Sequence, residues 1–208
     1  MARLKTNILD GGSGTIGNVV MYQWRGISCM RSKPSYYYDK KSIAQLRQRQ
    51  KMTLVHSFLR CFVPYLNDTF YENGIGRSPY QSAQSYNLKY GISGNYPNQY
   101  VDLRKALIAK GDLPLPNNLR AVKSADQLII SWDIDNELST NLQHNGLRLY
   151  WNRADGTSHA KSINTKVKRI EGQYILDLIP LKYANEINIW AVFFHTQNKE
   201  ISNSQLLL

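Results

Sequence analysis

Residues 187–195 read Ile-Asn-Ile-Trp-Ala-Val-Phe-Phe-His, a run with the β-branched and aromatic composition of a β-strand. Six other short runs after residue 113 share this composition and are separated by turn residues: 119–122, 128–132, 147–152, 161–164, 174–178 and 205–208. Seven strands in about 95 residues, with Asp155-Gly156 as a hairpin signal, is the count typical of a β-sandwich. The sequence therefore predicts a β-sandwich over residues 114–208.

The residues before this region differ in charge. Residues 1–113 contain 16 Lys and Arg against 6 Asp and Glu, whereas residues 114–208 contain 10 against 9. The stretch 111–116, Gly-Asp-Leu-Pro-Leu-Pro, is the best candidate for a boundary. We predict two domains, a basic N-terminal region at 1–113 and the sandwich at 114–208. A basic half beside a neutral one indicates an anionic partner, with solubility alone as the alternative.

The N-terminal region begins with a predicted β-hairpin. Residues 18–23 have strand composition, 24–26 (Trp-Arg-Gly) form the turn, and 27–33 return as a second strand. A glycine-rich stretch precedes the hairpin and three consecutive tyrosines, Tyr36, Tyr37 and Tyr38, follow it. With the helices described next, the predicted fold class is α+β.

Two helices should follow the hairpin. Asp39 can cap the first, which carries apolar residues at helical spacing up to Phe62 and should end near Pro64. Lys40, Arg47 and Lys51 fall on nearly one line along it, a basic stripe opposite part of the buried face. Ser78-Pro79 begins the second helix and Gly91 ends it.

No catalytic or metal site is predicted. The four histidines are scattered singly, and Cys29 and Cys61 lack the paired spacing of a zinc or redox site. The first 14 residues lack the about 7 to 15 apolar residues of a signal peptide, and no run of about 18 apolar residues occurs. We therefore expect no enzyme, cofactor, metal or membrane span. The product should be cytoplasmic on synthesis, with later incorporation into a particle left open.

Residues 12–17, Gly-Ser-Gly-Thr-Ile-Gly, match the dinucleotide-binding pattern in letters. That site needs a strand before the glycines and a helix after them, so that the helix N-terminus can hold the pyrophosphate. A strand-like run follows here instead, and barely ten residues precede. The glycines are more simply explained as a tight turn leading into the hairpin.

Basic and aromatic residues alternate in the hairpin and the segment after it, and the first helix adds two more cations. The candidate binding residues are Tyr22, Trp24, Arg25, Arg31, Lys33, Tyr36, Tyr37, Tyr38, Lys40, Arg47 and Lys51. Rings and cations suit a protein interface, where Tyr, Trp and Arg provide most of the binding energy. They also suit nucleic acid, whose bases stack on rings and whose phosphates pair with cations.

Residues 116–208 resemble an immunoglobulin or fibronectin type III module. The resemblance rests on Leu128-Ile-Ile-Ser-Trp132, Tyr150-Trp151 and residues 188–194. The paired cysteines of antibody domains are missing, and Tyr183 is a candidate for the tyrosine corner. The resemblance implies a rigid binding or scaffold module.

Nearly the whole chain also resembles a family of functionally uncharacterised proteins from Bacteroidota. The shared motifs are Ser13-Gly14-Thr-Ile-Gly17-Asn18-Val-Val20, Trp24-Arg25-Gly26, Arg31-Ser-Lys-Pro34, Tyr86-Asn87-Leu88 and Gly111-Asp-Leu-Pro114. Where that family usually has Lys after the Ser-Gly pair, this chain has Thr15. The resemblance implies an architecture and no activity.

We therefore expect a non-enzymatic structural or interaction subunit of a larger assembly, such as a phage particle. Its partners would be other protein subunits, either different proteins or further copies of this chain. The alternative is a non-specific nucleic-acid-binding protein that uses the basic N-terminal half.

Overall fold

The structure, a computed structural model, describes residues 2–4, 12–24, 26–36, 38–70, 77–124, 126–134, 140–156, 159–178, 187–195 and 200–208. These residues form two compact units. The first comprises the described residues up to Gln45 together with Arg77, and the second comprises those from Leu46 to Phe70 and from Ser78 to Leu208. The fold is a mixture of helices and antiparallel sheets.

The first unit is a four-stranded antiparallel sheet. Its strands are β1 (Ala2–Leu4), β2 (Gly14–Ile16), β3 (Val19–Trp24) and β4 (Ile27–Ser32), in the order β1-β4-β3-β2. The predicted hairpin is confirmed, because Trp24 pairs with Ile27 across a two-residue turn. Its second residue, Gly26, has a φ of 74°, and glycine adopts this left-handed conformation without the clash of a Cβ atom.

Three helices begin the second unit: α1 (Ile43–Arg60), α2 (Val63–Thr69) and α3 (Pro79–Tyr90). Helix α1 is capped by Ser42 and not by Asp39, because the Ser42 hydroxyl accepts from Gln45 N and the Gln45 side chain accepts from Ser42 N. Pro64 lies in the first turn of α2, where its missing N–H costs nothing. Helix α3 begins at the predicted Ser78 cap and ends at Gly91.

Nine strands, one short α-helix and one turn of 3-10 helix (Arg169–Glu171) follow among the described residues of this unit. They are β5 (Ile92–Ser93), β6 (Tyr100–Val101), β7 (Arg120–Ser124), β8 (Gln127–Ser131), α4 (Thr140–Gln143), β9 (Gly146–Arg153), β10 (Lys161–Lys168), β11 (Gln173–Asp177), β12 (Ile187–Phe194) and β13 (Gln205–Leu206). Strands β5 and β6 form a ribbon, β11-β8-β7 form one sheet, and β10-β9-β12-β13 form another. All seven strands predicted after residue 113 are present, with small differences at their ends.

Strand β12 is buried on both of its faces. Ile189, Ala191 and Phe193 join a core that also contains Leu128 and Ile130 of β8, so the two larger sheets share this core. Trp190 and Val192, which point the other way, join a second core made with the helices. Two-sided burial explains the nearly continuous apolar run in this strand.

Helices α1 and α2 pack on the outer face of this sheet. The rings of Phe58 and Phe62 lie 6.1 and 5.2 Å from the Trp190 ring, and Tyr65 lies edge-on to Tyr150 at 5.2 Å. One backbone hydrogen bond also joins the helices to the sheet region directly, since Ala160 N donates to Cys61 O at 2.9 Å. The helices that the sequence assigned to the basic region are therefore packed against the C-terminal sheet.

The predicted boundary stretch and the residues just before it are bonded to helix α3 and to residues 202–204. Residues 106–109 are all buried, and the Asn87 side chain both accepts from Leu107 N and donates to Leu107 O at 2.9 Å. Ser204 N donates to Ala109 O, and Leu113 pairs with Ser202 in a parallel bridge. The compact units therefore divide the chain at a different place from the predicted boundary between residues 113 and 114.

Candidate docking surface

The β3–β4 hairpin places three of the predicted binding residues on one face of the sheet. Tyr22 and Trp24 are two positions apart in β3, so their side chains point the same way. Arg31 lies opposite Val20 on β4, diagonal to Tyr22, and its guanidinium carbon is 6.0 Å from the centre of the Tyr22 ring. At this distance the exposed guanidinium of Arg31 makes a cation–π contact with the half-buried Tyr22 ring.

A buried thiol anchors the same face. Cys29 pairs directly with Tyr22 and is almost fully buried, as is its neighbour Ser28 on the opposite face. Cys29 therefore behaves as a small apolar side chain in the packing of the sheet. The aromatic residues of β3 thus belong to a strand whose neighbour, β4, is buried at Ser28 and Cys29.

The segment after β4 adds exposed rings and cations. Lys33 N donates to Asn18 O at 2.7 Å, which continues the hairpin register by one residue. Beyond it, Tyr36 and Tyr38 are 81% and 69% exposed, and Lys33 and Lys40 are exposed as well. We call Tyr22, Trp24, Arg31, Lys33, Tyr36, Tyr38 and Lys40 the hairpin surface. Arg25 and Tyr37, predicted for the same surface, lie outside the described residues.

Arg47 and Lys51 belong to helix α1 of the second unit. Lys40 precedes this helix, so the predicted three-residue stripe does not run along it. Arg47 is exposed, but Lys51 is half-buried because it lies four residues before the fully buried Val55, on the same side of the helix. The stripe therefore adjoins the buried face and does not lie opposite it.

The glycine-rich stretch forms a hairpin, as its simpler interpretation predicts. Residues 14–16 are strand β2, Gly17-Asn18 is a two-residue turn with Gly17 at a φ of 56°, and strand β3 follows. Within the described residues 12–24, strand β3 and not a helix follows these glycines, so no helix N-terminus is formed there to hold a pyrophosphate.

Titratable side chains elsewhere are held in structural contacts. His56 Nδ1 of α1 lies 2.7 Å from the Tyr80 hydroxyl of α3, and burial raises the pKa of Tyr80. The Cys61 thiol donates to Gly156 O at 3.3 Å. Within the described ranges, no three His, Cys, Asp or Glu side chains lie close enough together to hold a metal ion. These contacts join helices and loops and assemble no nucleophile, base and oxyanion site.

One open pocket of about 460 Å³ lies in the second unit, lined by Arg104 and residues 205–208. Its lining offers one guanidinium, one amide and three leucines. The amide is already engaged, since Gln205 Nε2 donates to Leu119 O at 2.9 Å.

A family model described as a family of unknown function, DUF6266, matches residues 11–207. The chain belongs to this family. No curated protein matches the sequence. In the described part of this DUF6266 member, none of the helices has the length and apolar character needed to cross a membrane.

The sequence reasoning missed a second group of exposed rings in this DUF6266 member. Tyr90, Tyr96 and Tyr100 lie at the end of α3 and along the β5–β6 ribbon, with their rings partly in solvent. Tyr86 and Tyr90 are four residues apart, a helical spacing that predicts a shared helix face and not an exposed ring. The turn residues between 91 and 99 gave the available signal, because loops expose their side chains.

Proposed function

We propose that this chain is a non-enzymatic interaction subunit of a larger assembly, such as a phage particle, and that it docks through the hairpin surface. In this proposal the chain is made in the cytoplasm and then joins the assembly. The observation that carries it is the exposure of Tyr36 and Tyr38 beside the Arg31–Tyr22 pair. Exposed tyrosines next to arginine are the composition of an interface centre.

The charge of the first unit supports a docking role. Within residues 1–45 and 73–77 the sequence has 8 Lys and Arg against 2 Asp. Such a field attracts an acidic partner surface and speeds its encounter, an effect that salt weakens. The expected partner is therefore a protein subunit with an acidic face that also offers pockets for tyrosine rings.

The second unit serves as the scaffold in this proposal, with strands β7–β13 as an immunoglobulin-like sandwich. The support is the arrangement of seven antiparallel strands in sheets of three and four, with one core between them. Helices α1 and α2 cover the outer face of the larger sheet and remove it from docking. The hairpin surface of the first unit is the part that we propose to engage the protein partner.

A co-purification experiment tests the proposal. The tagged chain and the tagged double variant Tyr36→Ser/Tyr38→Ser are each purified at low salt from cells that express them, and the proteins that co-purify are compared. The matched control is Val122→Ser/Ile175→Ser, which removes exposed apolar side chains from the second unit. We expect partner subunits with wild type and control, and at least about a tenfold lower yield with the tyrosine variant, since hot-spot residues contribute about 2 kcal/mol or more. Equal recovery with all three would refute docking through the hairpin surface.

Further copies of the chain are one possible partner, and sedimentation tests this directly. Wild type and the tyrosine variant are compared at rising concentration in the absence of other proteins. Self-association that disappears in Tyr36→Ser/Tyr38→Ser identifies the partner as another copy. A monomer at all concentrations assigns docking to a different protein.

The alternative is non-specific nucleic-acid binding through the hairpin surface, and salt dependence distinguishes it from protein docking. Affinity for a nucleic acid would fall steeply with salt, and Arg31→Ala would reduce that slope.

A further inference from the structure

Three exposed tyrosines and two exposed lysines lie at the end of α3 and in or just after the β5–β6 ribbon. We call Tyr90, Tyr96, Tyr100, Lys89 and Lys105 the ribbon surface. We propose that the ribbon surface binds single-stranded nucleic acid, with the rings stacking on bases and the ammonium groups pairing with phosphates. This inference is independent of docking through the hairpin surface, which belongs to the other unit.

The ribbon places a ring and an ammonium group side by side. Ser93 of β5 pairs with Tyr100 of β6, so both side chains lie on one face. Lys105 Nζ donates to Ser93 Oγ at 3.4 Å, which holds its ammonium on that face. The lysine side chain is 63% exposed and Tyr100 is 57% exposed. Both are therefore open to a ligand.

Gly94 explains how the Tyr100 ring can lie along the ribbon. A Cβ atom at this glycine would come within 3.4 Å of two ring carbons of Tyr100 and 2.5 Å from Asn98 O. Gly94 also has a φ of 83°, a conformation that favours glycine. The missing side chain leaves room for the ring and keeps its outer face available for stacking.

A second pair of the same kind lies at the helix end. Lys89 Nζ is 5.0 Å from the centre of the Tyr90 ring, and the Tyr86 ring is tilted against the Tyr90 ring at a centroid distance of 4.9 Å. The hydrogen bond with Tyr90 raises the pKa of Lys89, which favours the charged ammonium. Because Asp102 N donates to Gly91 O at 2.9 Å, the helix end and the ribbon are joined by a direct bond.

The charge of this region favours an anionic ligand. Residues 86–110 contain four Lys and Arg and a single acidic residue, Asp102. That carboxylate is already engaged, since it accepts from Ser93 Oγ at 3.1 Å and pairs with Lys105 at 3.3 Å. Partial desolvation raises the pKa of Asp102, but the bonds from Lys105 and Ser93 lower it further than that, so it stays ionised at neutral pH. The net charge of the region remains positive.

The exposed apolar atoms favour nucleic acid over a protein partner. Among the described residues from 64 to 121, every strongly exposed large apolar side chain is a tyrosine. The neighbouring Ile92, Val101 and Leu103 are partly buried and pack against the core, so the tyrosine rings dominate the exposed apolar surface. Rings flanked by cations form a stacking platform, and unpaired bases can lie on it whereas stacked duplex bases cannot.

Fluorescence anisotropy with a labelled 20-nucleotide oligo-dT tests the proposal on the full chain at about 50 mM salt. We expect binding to the single strand and weaker binding to a duplex of the same length. Replacing Tyr100 by Ala should weaken binding about 5- to 100-fold, because base–ring stacking contributes on this scale, whereas Tyr100→Phe should keep most of it. Lys89→Ala should lower the slope of log affinity against log salt by about 0.7.

Controls separate this proposal from the other surface and from misfolding. Tyr36→Ser/Tyr38→Ser should bind oligo-dT like wild type, and thermal unfolding of each variant should remain close to wild type. No binding at low salt would overturn the proposal, as would equal loss with Tyr100→Phe and Tyr100→Ala. Loss in the hairpin variant alone would assign nucleic acid to the hairpin surface. Capture of a protein that Tyr100→Ala loses, with no oligo-dT binding, would show a protein interface instead.

Discussion

The packing of the junction between α1 and α2 on the C-terminal sheet predicts a large and global effect of Phe62→Ala. Phe62 is fully buried and touches both Phe58 and Trp190, so its removal leaves a cavity between two layers. Truncating a buried phenylalanine costs about 3–5 kcal/mol. For a unit of about 160 residues, each kcal/mol lowers the melting temperature by about 2–4 °C. The expected loss is therefore about 6–20 °C.

Urea unfolding followed by tryptophan fluorescence measures this effect. A Trp24→Phe background removes the tryptophan of the first unit, so that the signal reports the second unit. Val63→Ala is the matched control, because Val63 is the next residue and is about half exposed. The control should change stability by no more than about 0.5 kcal/mol. Two separate transitions, or a loss below about 1 kcal/mol in Phe62→Ala, would show that helices and sheet do not unfold as one unit.

Three further predictions test other contacts of the second unit. Gly111→Ala should destabilise by about 1–3 kcal/mol in calorimetry, because its Cβ would lie 2.0 Å from Ile201 O; an unchanged melting temperature would contradict this close approach. Asn87→Ala should lower the free energy of unfolding by about 2–4 kcal/mol in urea, since it leaves Leu107 N and O unpaired in the core. An unchanged free energy of unfolding would contradict a stabilising role of the two Asn87–Leu107 hydrogen bonds. The pKa of Asp102 is lowered by folding, so its stabilisation is present above the unfolded pKa and disappears as the pH falls through the folded value. The Asp102→Asn variant should thus be less stable than wild type at pH 7 and equally stable in strong acid. A difference in stability that does not change with pH would contradict the lowered pKa of Asp102.

Local signals in the sequence predicted the strands and the cap of α3 well. A Ser-Pro pair begins α3, and two-residue turns with glycine shape the hairpin, because both depend on residues close in the chain. The Asp39 cap was wrong because Ser42 can share a reciprocal pair of bonds with Gln45, which Asp39 cannot reach.

Long-range packing was harder to predict. The apolar run in β12 has Trp190 and Val192 between inward-facing residues, a signal of burial on both faces. Which element covers the second face depends on tertiary contacts that a periodicity does not specify. The boundary expected near residue 113 rested on composition, and it lies in a stretch whose Gly111 N and Leu113 N donate to Asn203 and Ile201.

The candidate surface was partly predictable in the same sense. Alternation along β3 gives Tyr22 and Trp24 a common face from the sequence alone, but the Arg31–Tyr22 contact depends on the register of the hairpin. Arg47 and Lys51 were grouped with this surface by charge and lie in the other compact unit. The binding role of these residues stays a prediction.

Site-specific photo-crosslinking tests the docking claim most directly. A photoreactive amino acid replaces Tyr36 or Tyr38 in cells that express the protein, and Val122, an exposed position of the second unit, serves as the reference. We predict that positions 36 and 38 yield one shared covalent adduct with a partner subunit and that position 122 yields none of it. Adducts of the same pattern and yield from all three positions, or none from 36 and 38, would contradict docking through the hairpin surface.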